Sequence, residues 1–401
     1  MNNFLQKITQ LLSSAGRVYG REIRNIFKDP GVILFMFFLP LAYPVIYSLI
    51  YNPELVREIP VVVVDSDRTS LSRDFTRRFD ATEGAHIIGY AASLDEARRA
   101  VAQRDAFAIM EIPKGFEAKI GRGQQGPVVI YAEMSLLLRY RSLLFSMTDL
   151  QTSMGAELLS QDINNLGVES LASTADPMPI NAVSLGNLQS GFDSFIMPGV
   201  IVLILQQCLV LAIGMLGGGK HESPSLIGYD PINRSRSTVV TMVAKTGAYL
   251  TLMVIPVIWL LHYVPRIFDF PMEGNVLQIF AFILPMVIAS ICLGFIVQAF
   301  CTERESIFIV WVATSVLFLF LSGLTWPRYA MAPFWKLLSD LVPATWGVNG
   351  FILMNANGST LSQVSEQWTN LWLLAAFYAV IAWAVQRFIL RPRIPYPATT
   401  R

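Results

Sequence analysis

The chain has 401 residues, 53% of them hydrophobic and only 15% charged, against roughly 25% charged in ordinary soluble domains. A net charge of +1 gives no reason to expect a nucleic-acid partner, and three cysteines without paired or metal-ligand spacing give none to expect disulfides or a metal. The apolar excess is gathered into long blocks, which excludes a plain soluble protein and points to a membrane.

Residues 1–30 come first. Ile8, Leu11 and Leu12, then Tyr19, Ile23, Ile26 and Phe27, recur at helical spacing, with Arg17, Arg21, Arg24 and Lys28 between them. The pattern predicts an amphipathic helix lying in the membrane interface, ended by Asp29-Pro30. Uncharged blocks of at least ~20 residues follow, the length a spanning helix needs, at 31–51, 194–219, 246–265, 274–302, 306–327 and 367–386. We set the spans at 31–51, 192–219, 246–265, 274–302, 306–327 and 367–390. The first block is too long and too far from the start for a leader, so it reads as a true span.

Between the first two spans, residues 52–191 alternate strand and helix signals. Strand runs cover 59–64, 106–112 and 127–132, with a short apolar run at 86–90. Thr69 or Ser70 caps a helix to about residue 79, Ser93-Leu94-Asp95-Glu96 is a capping box, and Pro113 opens a helix to residue 120. A proline-free stretch from 135 to about 165 reads as one long helix, and 172–179 as a linker. The expected fold is therefore a polytopic α-helical membrane protein with six transmembrane helices and an inserted α/β domain. The remaining segments are a loop at 220–245, a segment at 328–366 between the last two spans, and a tail at 391–401.

Lysine and arginine set the orientation. Residues 1–30 hold five, 217–245 four, 301–305 one and the tail after Gln386 four, whereas the short loops 263–274 and 326–366 hold three. The positive-inside rule then puts both termini in the cytoplasm and 52–191 outside. None of the six uncharged blocks offers the ionisable relay of an ion-coupled transporter; Gln206, Gln207, Gln278, Gln298 and His262 are poor substitutes.

Two stretches imitate enzymes. VVVVDSDRT, residues 61–69, has the D-x-D-x-T spacing of a phosphatase, with Asp65 as nucleophile and Asp67 as acid/base. No Gly-Asp or Asp-Asp dipeptide follows to complete a Mg²⁺ shell, and a strand-end turn with a capped helix explains the residues equally. GMLGGGK, residues 214–220, fits G-x-x-x-x-G-K, but His221 stands where Ser or Thr would hold Mg²⁺ and no strand precedes it. The glycines read as the end of the second span.

GREIRNIFKDPGVILFMFFLPLAYPVIYSLIY at 20–51 resembles the opening of the ABC-2 type permeases. The acidic strand-turn at 61–75 resembles the start of the extracytoplasmic domain in their long members, and LSGLTWPRYAMAPFWKLLSDLVPATWGVNGF at 321–351 resembles their signature between the last two spans. The resemblance implies a permease subunit supplying six of twelve spans, paired with a second permease subunit as homo- or heterodimer. ATP and Mg²⁺ would be handled by a separate cytosolic ATPase, this chain binding no cofactor itself. It also implies export of an amphiphilic, lipid-like, drug-like or peptide substrate from a bacterial inner membrane, with a periplasmic adaptor as a further candidate partner.

Under that resemblance the elements able to touch an ATPase are the interfacial helix, with Tyr19, Arg21, Glu22, Arg24 and Lys28; the loop with Lys220, Glu222 and Arg234; and the turn with Glu303, Arg304 and Glu305. The alternative for each is a solvated charged loop. The loop departs from the family pattern: Glu222 stands in for the acid, but the basic residue and Gly-Thr are missing. Trp326, Pro327, Pro333, Trp335, Pro343 and Trp346 are candidates for an outer gate of short re-entrant helices, or for a plain aromatic belt. A different class, a membrane-anchored sensor or scaffold in an envelope machine, predicts no ATPase partner.

Overall fold

The computed structural model describes residues 2–51, 56–122, 124–133, 137–166, 191–222, 237–301 and 303–390. The chain divides into two compact units, Met1–Asn52 with Ser184–Arg401, and Pro53–Val183.

The larger unit is helical. Helix α1 spans Asn2–Lys28 and α2 spans Pro30–Ile50. Asp29 separates them and caps α2, its Oδ1 accepting from the backbone N–H of Gly31 at 3.1 Å and Val32 at 3.2 Å.

The smaller unit comes next. Strand β1 (Ile59–Asp65), α3 (Ser70–Asp80), β2 (Ala85–Tyr90), α4 (Leu94–Ala102), β3 (Ala108–Ile112), α5 (Phe116–Ile120), β4 (Val129–Ala132) and α6 (Leu137–Leu166) follow in order. The sheet order is β2-β1-β3-β4, with β1 parallel to β2 and β3, and β4 antiparallel to β3. Val61, Val62, Val63 and Val64 are all buried, as a central strand covered on both faces requires. Phe75 and Phe79 of α3 and Leu143, Met147, Leu150 and Met154 of α6 pack one face; Ala97 of α4 packs the other with Val62, Val64 and Ile109.

The chain then returns to the larger unit with α7 (Phe192–Glu222), α8 (Thr238–Ile267), α9 (Val276–Val297), α10 (Ser306–Leu321), α11 (Pro333–Asp340), α12 (Pro343–Asn357) and α13 (Ser365–Leu390). Helix α7 is apolar all round and 89% of its most hydrophobic stretch is buried, so it forms the centre of the bundle. Three helices carry a widened turn, at Leu34–Phe38 in α2, Trp259–Tyr263 in α8 and Gln386–Leu390 at the end of α13. The first two are each centred on the residue four before a proline, Met36 before Pro40 and Leu261 before Pro265. A proline ring clashes with that carbonyl, and widening the turn relieves the clash.

Several expected boundaries move. Helix α7 runs on to Glu222, so 214–220 is helical, while its stretch apolar enough to span, Phe192–Gly219, stops at these glycines. Their use is close approach: a Cβ at Gly218 would meet the Glu303 carbonyl oxygen at 2.4 Å. Helix α8 begins at Thr238, not at residue 246, so the loop placed at 220–245 loses both ends to helices. The blocks had been drawn to stop at charges, yet Lys245 and Asp193 lie inside helices and are buried. The fifth span, expected over 306–327, stops at Leu321. Its 16 residues reach about 24 Å at 1.5 Å per residue, short of a ~30 Å hydrocarbon core. Gly323, at φ +87°, turns the chain there. Beyond it α11 and α12 meet at 86°, as a broken span or a re-entrant pair. Among the described residues five helices are long and apolar enough to cross a membrane, or six if that bent pair is one.

Candidate functional site

One end of the larger unit gathers charge. Helix α1 buries Val18, Glu22, Asn25 and Ile26 along one face. The Glu22 carboxylate meets α8: Tyr249 donates its hydroxyl to Oε1 at 3.1 Å, and Lys245 Nζ stands 3.7 Å from Oε2. The Glu22 and Lys245 side chains are only 6% and 10% exposed. Three residues before Glu22, Tyr19 donates its hydroxyl to Thr251 Oγ1 at 3.0 Å, also on α8. Helix α1 thus meets α8 on two sides: Glu22 at Lys245 and Tyr249, four apart on one face, and Tyr19 at Thr251, beside Gly247.

A second joint lies at the foot of α1. Arg304, in the turn before α10, forms an ion pair with the buried Asp29. The same Asp29 oxygen caps α2, so one carboxylate fixes the entry of the first span and the turn before α10. The end of α7 meets that turn at Gly218, and Phe35 packs edge-on against Phe308 at 5.3 Å. Of the residues expected here, Tyr19, Glu22 and Arg304 are brought into these joints. Arg21 is half-buried on α1, and Arg24, Lys28, Glu303 and Glu305 are exposed around them. Lys220 and Glu222 end α7; Arg234 lies outside the described residues.

Asp29, Lys245 and Tyr249 were not anticipated as site residues. Asp29 had been read only as a helix stop, and Lys245 as a loop residue. The available signal was weak: a lysine one residue from an apolar block, four before a tyrosine.

The expected outer segment divides. Trp326, Pro327, Pro333 and Trp335 are exposed, whereas Pro343 is buried and Trp346 half-buried in α12. Arg328 pairs with Asp340 and stacks 4.4 Å from the Trp346 ring centre, while Trp346 Nε1 donates to the Asp340 carbonyl at 2.9 Å. Ser339 Oγ donates to the Leu321 carbonyl at 2.7 Å, tying α11 back to α10. A groove of about 440 Å³ opens beside them, lined by Asp340, Leu341, Trp346, Asn370, Leu373 and Phe377 among others.

The phosphatase-like turn is occupied by protein donors. Asp65 Oδ1 accepts from the N–H groups of Asp67 at 3.0 Å and Arg68 at 2.9 Å, and Oδ2 accepts from Ser72 Oγ at 2.7 Å. Asp67 accepts from the N–H of Gly115 at 2.7 Å, the N–H of Glu117 at 3.0 Å and the Thr69 hydroxyl at 2.9 Å. The Glu117 N–H first, then Thr69 and Gly115, hold the Asp67 carboxyl below its usual pKa. Both carboxylates are structural: one closes a strand-end turn, the other spans from β1 to the start of α5. The phosphate-loop mimic at 214–220 has its backbone N–H groups inside a helix, which leaves no cradle for a nucleotide.

A family model described as "ABC-2 family transporter protein" matches residues 30–384. The chain is also similar to "ABC transporter G family member 23" of Dictyostelium discoideum, with 20% identity over 354 residues. That alignment covers 86% of this chain and 46% of the relative, so the chain spans under half of that protein's length.

Proposed function

The chain belongs to the ABC-2 family of transporters, and from that premise we propose that it is the permease subunit of an ATP-driven exporter. The observation that carries the mechanism is the pair of joints on α1: Glu22 to Lys245 and Tyr249 of α8, and Asp29 to Arg304 before α10. A push on α1 or on the 303–305 turn is transmitted to α2, α8 and α10 together, because buried ion pairs resist being pulled apart. We assign this end to the cytoplasm from the excess of Lys and Arg in its segments. A cytosolic ATPase pair closing on ATP would dock on the exposed Arg24, Lys28, Glu303 and Glu305. It would drive the bundle, formed with a second permease subunit, toward an outward-open state.

The same rule assigns residues 53–183 to the outside, and we assign the segment from Trp326 to Trp346 the role of an outer gate. Apolar spans suit an amphiphilic substrate: a lipid-like molecule, a drug-like compound or a hydrophobic peptide. A bacterial inner membrane is the location that fits, with an adaptor as a further partner of the outer unit. The test is gentle purification of the tagged chain from its native cell, mass spectrometry of what co-purifies, and an ATPase assay. A stoichiometric ATPase is expected. A chain that emerges alone and ATPase-silent overturns the proposal and turns attention to a sensor role for residues 53–183.

A further inference from the structure

Helix α7 carries Gln206 roughly 21 Å along its axis from Phe192, at 1.5 Å per residue, close to half-way down the bundle. Helix α12 begins at the same depth. Pro343, Ala344 and Thr345 are all buried, and the Ala344 N–H donates to Gln206 Oε1 at 2.7 Å. The residue before the helix, Val342, has no side-chain oxygen to cap it, so an amide from a neighbouring helix does so.

That bond fixes which way the amide points. With the two ends exchanged, Nε2 would face the Ala344 N–H donor to donor. Nε2 therefore carries its two N–H groups beside the helix start. It is buried, the Gln206 side chain is 0% exposed, and Nε2 has no acceptor among the described residues. Buried donors in native proteins are nearly always satisfied. Capping alone needs one acceptor oxygen. The NH₂ of Gln206 exceeds that role, and it stands where the positive end of a helix also favours an electron-rich group.

We propose that Gln206 Nε2 and the first turn of α12 form an internal binding site for one hydrogen-bond-accepting oxygen. Two sources share that chemistry: an ordered water, or the carbonyl oxygen of an exported amphiphile that reaches this depth when α12 moves. The amphiphile source rests on the export reading; the water source does not.

The test is a density map of the purified full chain in lipid nanodiscs, at a resolution that resolves ordered water. It is recorded with no addition, with dodecanamide, and with dodecane, which lacks an acceptor. Density within about 3 Å of Nε2 is expected. Density present with no addition and unchanged by dodecanamide identifies water and overturns the amphiphile arm. Density that becomes continuous with an acyl chain only in dodecanamide identifies the carbonyl. In that case Gln206→Met weakens dodecanamide binding about fivefold, as the loss of one net hydrogen bond predicts. No density in any of the three maps overturns the site, whether or not the variant folds. Failure of an ATPase to co-purify would sink the export reading and leave a water at Gln206 standing.

Discussion

Replacing Lys245 by Met removes the cation from a pair whose side chains are 10% and 6% exposed. At the observed 3.7 Å and an effective dielectric of ~20, the attraction is about 4.5 kcal/mol. Desolvating the two charges offsets much of that, so the pair itself is a modest net stabiliser. Removing one partner is different, because the Glu22 carboxylate then stays buried without the cation. Such losses cost about 3–5 kcal/mol, and the Met side chain recovers a little by packing. We expect a net loss of about 3 kcal/mol, or roughly 3–5 °C in melting temperature for a chain of 401 residues at about 2.1 cal/mol/K of unfolding entropy per residue. Glu22→Gln alone should cost less, since the amide still accepts from Tyr249 while Lys245 is left charged. The informative variant is the double one. With both charges gone no unpaired charge is left at this joint, and Glu22→Gln with Lys245→Met should melt above Lys245→Met alone. The assay is thermal unfolding in nanodiscs at fixed pH for the wild type and three variants. Additive losses, with the double variant the least stable, would refute the pairing.

Arg304→Ala leaves the buried Asp29 carboxylate without its cation and should cost about 1–3 kcal/mol, the exposure of Arg304 and the two N–H donors left on Asp29 holding it below the Lys245 case, and it should uncouple ATP hydrolysis from export in vesicles. Export per ATP unchanged from wild type would count against the joint at Asp29. Gly218→Ala puts a Cβ 2.4 Å from the Glu303 carbonyl and should destabilise by about 1–3 kcal/mol, whereas Gly247→Ala, with nothing nearer than 3.8 Å, should be neutral or stabilising; melting curves separate the two. Because folding lowers the Asp67 pKa, its contribution is present above the ordinary carboxylate value of about 3.9 and is lost as pH falls through the lowered one. Amide exchange at residues 66–70 and 115–117 should accelerate over that acid range, and Asp67→Asn should flatten the dependence.

The spans were legible because hydrocarbon admits few unpaired charges, and their edges were not, for the same reason misapplied. Lys245 was taken as the limit of a loop, but a charge is tolerated inside a helix once Glu22 neutralises it. That partner lies on α1, far away in sequence. Helix α12 was legible only in part. The segment reads equally as short re-entrant helices or as an aromatic belt with prolines, yet Gly347 and Gly350 are spaced for close packing, against Met286 and Phe282 of α9. Three residues apart, they mark one helix face, a signal overlooked beside the tryptophans. The turn and helix cap at 65–72 were legible, since the Thr69–Ser72 cap is local. The reach of Asp67 to residues 115–117 follows from the crossover that sets β3 beside β1, which no local pattern encodes.

Helix α1 has three faces where an amphipathic reading supplies two. At 100° per residue, Arg17, Arg21, Arg24 and Lys28 form one stripe, and Val18, Glu22, Asn25 and Ile26 form another, roughly a third of a turn away. Leu12 and Phe27, exposed at 68% and 54%, stand on the third. A helix with one apolar and one polar face lies either on a membrane or against a protein. With three faces α1 has one packed against protein and two left for other surroundings, which is what the proposed lever at a membrane interface requires. The buried face also carries a charge, Glu22, and the helix ends on another, Asp29; these grip different elements, α8 and the turn before α10. A purely apolar face would let α1 slide against its neighbours under load. Two directional ion pairs, to α8 and to the turn before α10, fix its register, as the proposed transfer of motion from α1 to the spans requires.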